Sequence, residues 1–420
     1  MYCKDVVEFL ECYLDKGIPY MKLFFENKEH YKELFEYAIQ FEDDPLFQVI
    51  IGYLYKYGEA GEKNLNYAFD YFYKAANAGN DVAMFEIGSM YENGRGTDKN
   101  INSSIYWYKK GVENNNASAM INLGILYEKG IGLEKSNYEA FKLYERAADL
   151  GNTIAINNLA LCYRVGRGVE KDLEKSYELF KYGAEQGEKL CMEQLAYAYE
   201  FGVGTEINLP LAFEWYEKTA KRGVSSAMNV LGVFYELGKG VPTDLEKAFY
   251  WYEEASKKGN IYACRNLASC YEYGKGVVKD DAKALFWYEK SAEGGNDRSM
   301  LSAGYMYECG KGTEKNLPKA FDYYKKSAEL GNATAMNNLG VFYEKGLACE
   351  KDMVKAINYY KTAADKGIGI ALSNLGLCYR YGRGVPKNLR EALNLFKKAV
   401  DAGFKKAQEY YDAVYKELYK

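Results

Sequence analysis

Few residues in this chain have the type and spacing that covalent chemistry requires. There is one histidine, His30, so a catalytic triad built on imidazole must use that residue, and a metal site with several histidines is excluded. Nine cysteines are present without a CxxC pair or a metal-ligand spacing, and they read as reduced, mostly core-filling thiols. The Gly94-Arg95-Gly96 and Gly166-Arg167-Gly168 segments have the glycine content of a phosphate loop. A phosphate loop, however, follows a strand and opens a helix, whereas these segments close helical patterns and recur along the chain, so a turn requirement explains them better. Their basic residues, Arg95, Arg167, Lys239, Lys275, Lys311 and Arg383, read as a solvated row. Glu92, Glu128, Glu200, Glu236 and Glu272 read as repeating exposed carboxylates without a nucleophile or orienting partner. The expectation is therefore no catalytic residue, no metal and no cofactor.

Composition narrows the classes further. Of 420 residues, 48% are hydrophobic and 27% charged, which fits a folded chain and excludes a mostly disordered one. The net charge is −4 and the signs are interspersed, so no basic stripe exists for a nucleic-acid backbone. No apolar run approaches the length of a membrane-spanning helix. The opening Met1-Tyr2-Cys3-Lys4-Asp5-Val6-Val7 has no basic segment followed by an apolar one, so the expectation is a cytoplasmic protein.

The elements that must position any functional side chain follow from a repeat. Tyrosine recurs every 36 residues from Tyr55 through Tyr379, ten times without a gap, and a glycine follows three residues after each one. The string Ala119-Met120-Ile121-Asn122-Leu123-Gly124 returns near Ala227 and again near Ala335. Small and apolar residues at Ala119, Met120, Leu123, Gly124 and Tyr127 share one face of a helix, which the glycine closes. Then comes a column of Asn64, Asn100, Ser136, Asp172, Asn208, Asp244, Asp280, Asn316, Asp352 and Asn388, all good N-caps for a second helix. That helix carries an aromatic column, including Phe72, Tyr108, Tyr144, Tyr252 and Phe396, expected in the core along with the first-helix tyrosines. Three such units form a longer period of 108, visible at Cys162, Cys270 and Cys378, which points to growth by triplets.

The A-x-x-x-L-G-x-x-Y-x-x-G-x-G pattern and the second-helix run Ala248-Phe249-Tyr250-Trp251-Tyr252-Glu253-Glu254-Ala255 resemble the Sel-1-like repeats, relatives of the tetratricopeptide repeats. Departures are Phe47 for the first alanine, Asn115 for a closing glycine and Ala348 for a loop glycine. The resemblance implies an all-α fold, a right-handed α-solenoid of about ten two-helix repeats over 47–403. Residues 1–46 are expected to form an N-terminal helical cap, with Tyr31 to Asp44 echoing a second helix. Residues 404–420 are expected to form a C-terminal capping helix, with Ala407, Tyr410, Tyr411, Val414, Tyr415 and Leu418 on one face.

The resemblance also implies an adaptor or scaffold that binds another protein or peptide in a concave groove lined by first helices. Two other readings stand beside it. One is a hydrolase of the β-lactamase-like type discussed for cysteine-rich secreted relatives, whose cysteine spacing and export signal are missing here. The other is a solenoid that self-associates, as a homodimer, through its terminal helices. The candidate groove residues form three sets. The amides Asn122, Asn158, Gln194, Asn266, Asn338 and Asn374 have the chemistry to bond an extended peptide backbone, or else to tie one helix to its neighbour. The aromatics Tyr57, Phe201, Tyr273 and Tyr381 have the size of interface anchors. Arg164, Arg265 and Arg380 would add charge selectivity.

Overall fold

A computed structural model describes residues 28–59 and 61–419, with side chains from Tyr31 onward. His30 and the expected cap before residue 28 thus lie outside the described side chains. Among the described residues there are 22 α-helices, one short 3-10 helix and no strand. No described helix is long and apolar enough to cross a membrane.

The chain divides into two compact units, residues 1–207 and 208–420. The first described helix of the first unit, Lys28–Ala38, buries Tyr31, Leu34 and Ala38 against the first repeat. It continues through first helices Pro45–Tyr57, Asp81–Asn93, Ala117–Lys129, Thr153–Val165 and Lys189–Phe201. These alternate with second helices Leu65–Asn77, Ile101–Glu113, Asn137–Asp149 and Leu173–Glu185. The second unit opens with the second helix Leu209–Lys221. Its first helices are Ser225–Leu237, Ile261–Tyr273, Asp297–Cys309, Ala333–Lys345 and Gly369–Tyr381. Its remaining second helices are Leu245–Lys257, Asp281–Glu293, Leu317–Glu329, Met353–Asp365 and Leu389–Asp401, and Ala407–Leu418 follows.

Local chemistry sets these boundaries. Every residue of the expected cap column accepts a backbone N–H at the start of its second helix, as in Lys283 N to Asp280 Oδ1 at 2.9 Å. Each first helix ends on a left-handed glycine, such as Gly274 at φ +69°, whose N–H reaches the carbonyl of Cys270. The second glycine of the loop has a different reason. A Cβ on Gly276 would stand 2.0 Å from the carbonyl oxygen of Leu245, so the loop passes directly over the preceding second helix. Among the described residues, Ala348 and Asn115, which stand where other repeats carry glycine, are the two non-glycine residues with positive φ, at 57° and 59°.

Packing within a repeat is ring against glycine. A Cβ on Gly124 would lie 2.6 Å from the Tyr144 ring, so the absence of a side chain there is what lets the second helix approach. The second-helix aromatics are all buried, from 0% to 4% exposed. The first-helix tyrosines differ from the expectation. Tyr163, Tyr271 and Tyr307 are buried, and the other seven are half-buried. Lysine stems and second-helix rings lie over several of the half-buried ones. Lys247 Nζ lies 5.3 Å from the centre of the Tyr235 ring, and Tyr359 stacks on Tyr343 with centroids 5.7 Å apart.

Candidate functional site

The first helices carry the candidate residues, and their geometry sorts these into engaged and displayed. At the last position of the first helix, Tyr57, Phe201, Tyr273 and Tyr381 are 43%, 53%, 64% and 60% exposed. Val165 and Leu237 occupy the same position and are also exposed. Each unit therefore displays its own row of large apolar side chains, one repeat apart where consecutive: Val165 and Phe201 in the first, Leu237 and Tyr273 in the second. Arg380 and Arg383 lie 5.2 and 5.6 Å from the centre of the Tyr381 ring, and Lys275 and Lys311 lie 5.9 and 5.8 Å from that of Tyr273.

The amide column is half-buried and makes bonds inside the protein. Asn122 Nδ2 donates to the Tyr108 hydroxyl at 3.0 Å. Asn266 Nδ2 donates to Asn229 Oδ1 and Asn374 Nδ2 to Asn337 Oδ1, both at 2.9 Å, each tying a first helix to the preceding one. Asn158 and Asn338 accept from Asn157 and Asn337, and Gln194 accepts from Arg164. Arg380 Nε lies 3.4 Å from Glu417 of the helix Ala407–Leu418. Arg265 adds its positive charge close to Glu236.

One constellation was not anticipated. The second-helix tyrosine donates its hydroxyl to a glutamate sixteen residues earlier, and that glutamate pairs with a basic loop residue of the next repeat. Tyr288 donates to Glu272 Oε2 at 2.7 Å, while Lys311 Nζ lies 2.7 Å from Glu272 Oε1. The same relay joins Tyr252, Glu236 and Lys275, joins Tyr360, Glu344 and Arg383, and joins Tyr144, Glu128 and Arg167. This corrects the reading of these bases as a solvated row and of these glutamates as exposed. Glu272 is 8% exposed because the loop folds back over it. Burial alone would raise the Glu236 carboxyl. Hydrogen bonds from Lys275 and Tyr252, with the Lys275 and Arg265 charges, more than reverse this and hold it below the usual value. Burial, then the bond to glutamate, pushes the tyrosine hydroxyls far up, so they remain donors.

A signal for this relay exists in the sequence. Where the first helix carries glutamate, the residue sixteen later is tyrosine. Where it carries a cation (Lys56, Arg164, Arg380), that residue is phenylalanine (Phe72, Phe180, Phe396). A buried hydroxyl facing a cation would lack its acceptor, so the hydroxyl is absent. The cations find other partners: Lys56 Nζ lies 2.5 Å from Glu86 Oε2.

Among the described residues no group of three or more histidine, cysteine, aspartate or glutamate side chains is arranged to hold a metal ion. What the geometry offers is, on each unit, a surface with repeating displayed rings.

Comparison with known proteins agrees with this architecture. The sequence profile of the Sel1 repeat matches ten consecutive spans, from 45–80 to 369–404. A protective antigen of uropathogenic Escherichia coli with an SLR fold is similar in structure at TM-score 0.69 and 32% identity, over 93% of this chain and 82% of that one. A Sel1 repeat protein from Oxalobacter formigenes is similar at TM-score 0.55 and 29% identity, over 72% of this chain and 87% of that one. A search of curated proteins finds no significant match.

Proposed function

Because the chain belongs to the Sel1 repeat family, we propose that it is an interaction scaffold that binds a partner polypeptide along its first helices. The observation that carries this reading is the displayed row at the first-helix ends. Tyr273 and Tyr381 are more than half exposed, and each ring has two cations between 5.2 and 5.9 Å from its centre. Large rings of this kind lose little freedom when a partner covers them. In this reading the amides are part of the frame, and the rings with the flanking Arg380 and Arg383 make the contact.

The test uses the full chain against a displayed library of random peptides. Recovered binders are re-measured on Tyr273→Ala and Tyr381→Ala, with far-ultraviolet circular dichroism as the folding control. Each substitution is expected to weaken binding by about ten-fold, the usual effect of truncating an anchor ring. Binders that hold equally well to both variants would remove the row from the reading.

A further inference from the structure

The repeats are copies, so each shows what the others lack. In repeats eight and nine the first-helix tyrosine is covered twice. Tyr307 has Lys319 Nζ 4.8 Å from its ring centre and Tyr323 stacked on it. Tyr343 has Lys355 at 5.3 Å and Tyr359 stacked at 5.7 Å with planes 8° apart. In repeat ten the equivalent tyrosine is Tyr379. The lysine position is Glu391 and the ring position is Leu395. Among the described residues no ring and no cation lies over Tyr379. A solvent-open hollow of about 620 Å³ stands in their place, between the second helices Met353–Asp365 and Leu389–Asp401, with Leu375, Tyr379 and Leu395 in its lining.

Repeat three has the same pair of changes, Glu139 and Leu143 beside Tyr127, and provides a contrast. There Arg146 bridges to the Val112 carbonyl and to Asn115 Oδ1, each at 3.3 Å. The junction of repeats nine and ten has the shorter Ala364 and Gly367 where that of repeats two and three has Val112 and Asn115, and Ala402 where the latter has Leu150. The rim of the hollow carries Lys361, Lys398, Asp365 and Glu391, and none of the four makes an ion pair. The slot is thus open, with leucines at its base but more polar than apolar surface exposed, and it is edged by charges of both signs that, among the described residues, have no ion-pair partner.

We propose that the hollow between the second helices of repeats nine and ten takes an aromatic side chain of a partner polypeptide, which stacks on Tyr379 where the chain's own ring is missing. This rests on the scaffold reading for the polypeptide but uses a different face. Stacking on the half-buried Tyr379 ring favours a flat ring over an aliphatic side chain of similar size. Charged residues of either sign beside that ring meet an opposite charge on the rim.

The probe is N-acetyl-tryptophanamide, titrated against the full chain by calorimetry, with N-acetyl-leucinamide as comparator. The tryptophan amide is expected to bind about three- to ten-fold tighter. Leu395→Trp fills the slot with the residue found at Trp287, and Glu391→Lys covers Tyr379 as Lys355 covers Tyr343, so both variants place side chains the fold already accepts. Each is expected to weaken the tryptophan amide by about five-fold or more with unchanged helicity. Equal affinity for the two amides, or binding of the tryptophan amide unaffected by Leu395→Trp, would overturn the proposal. The probe needs no partner, so the slot and the scaffold reading fail separately.

Discussion

Replacing Glu272 by leucine tests the relay between repeats. The carboxylate accepts from Tyr288 at 2.7 Å and pairs with Lys311 at 2.7 Å. Tyr288 is 4% exposed, so losing its acceptor leaves a buried hydroxyl, at about 1–3 kcal/mol. Ser302 stands within reach of that hydroxyl, which favours the lower half of the range. The Lys311 side chain is 25% exposed and keeps Asp281 at 3.6 Å, so its loss adds no more than about 1 kcal/mol. The single variant should therefore cost about 1–3 kcal/mol. Adding Tyr288→Phe removes the stranded hydroxyl and should recover about 1–2 kcal/mol, leaving a ring without a hydroxyl beside a residue that accepts no hydrogen bond, as Phe180 stands beside Arg164. A solenoid can open in segments, so the appropriate assay is native-state hydrogen exchange at amides of 281–293 and 297–309, alongside urea unfolding. If the double variant cost the sum of the two single changes, the coupling through the hydroxyl would be refuted.

Two further outcomes follow from the same geometry. Gly276→Ala should destabilise far more than Gly259→Ala in thermal melts. Both have positive φ, at 68° and 79°, which costs about 1 kcal/mol, but only the first would also put a Cβ 2.0 Å from the Leu245 carbonyl oxygen. Comparable melting shifts would argue against the close pass of the loop. Acid should weaken the joints as well. Glu236 is held below the usual glutamate value when folded, so its stabilisation is fully present above that usual value and is lost as pH falls through the lower folded value. Glu236→Gln should flatten the stability profile there, and an unchanged acid limb would contradict this.

Helix ends were legible in the sequence because they are local. Asp280 caps its own helix three residues away, and Gly274 ends its own, so type and spacing suffice. The relay was not legible from single columns because it joins Glu272 to Lys311 across a repeat boundary. Taken singly, each column reads as a solvated charge. Only the joint variation of glutamate with tyrosine, and of cation with phenylalanine, carries the contact. The half-burial of most first-helix tyrosines was hidden for a related reason. Their cover depends on whether a lysine or a ring stands over them, as Lys355 and Tyr359 do over Tyr343. The candidate site was legible as a row of rings. Its amides look equally available in the sequence, yet Asn266 and Asn374 bond to the first helix before their own.

The relay also limits how such a chain can be edited. Each seam is written half in one brick and half in the next, so a brick can be moved only where both of its edges find their match. Glu236 with Lys275 and Glu272 with Lys311 are consecutive seams of one kind, with the same offset, so a lone brick can be cut there and the edges still meet. Where Lys56, Arg164 or Arg380 takes the place of the glutamate, the same cut brings together edges that were never matched.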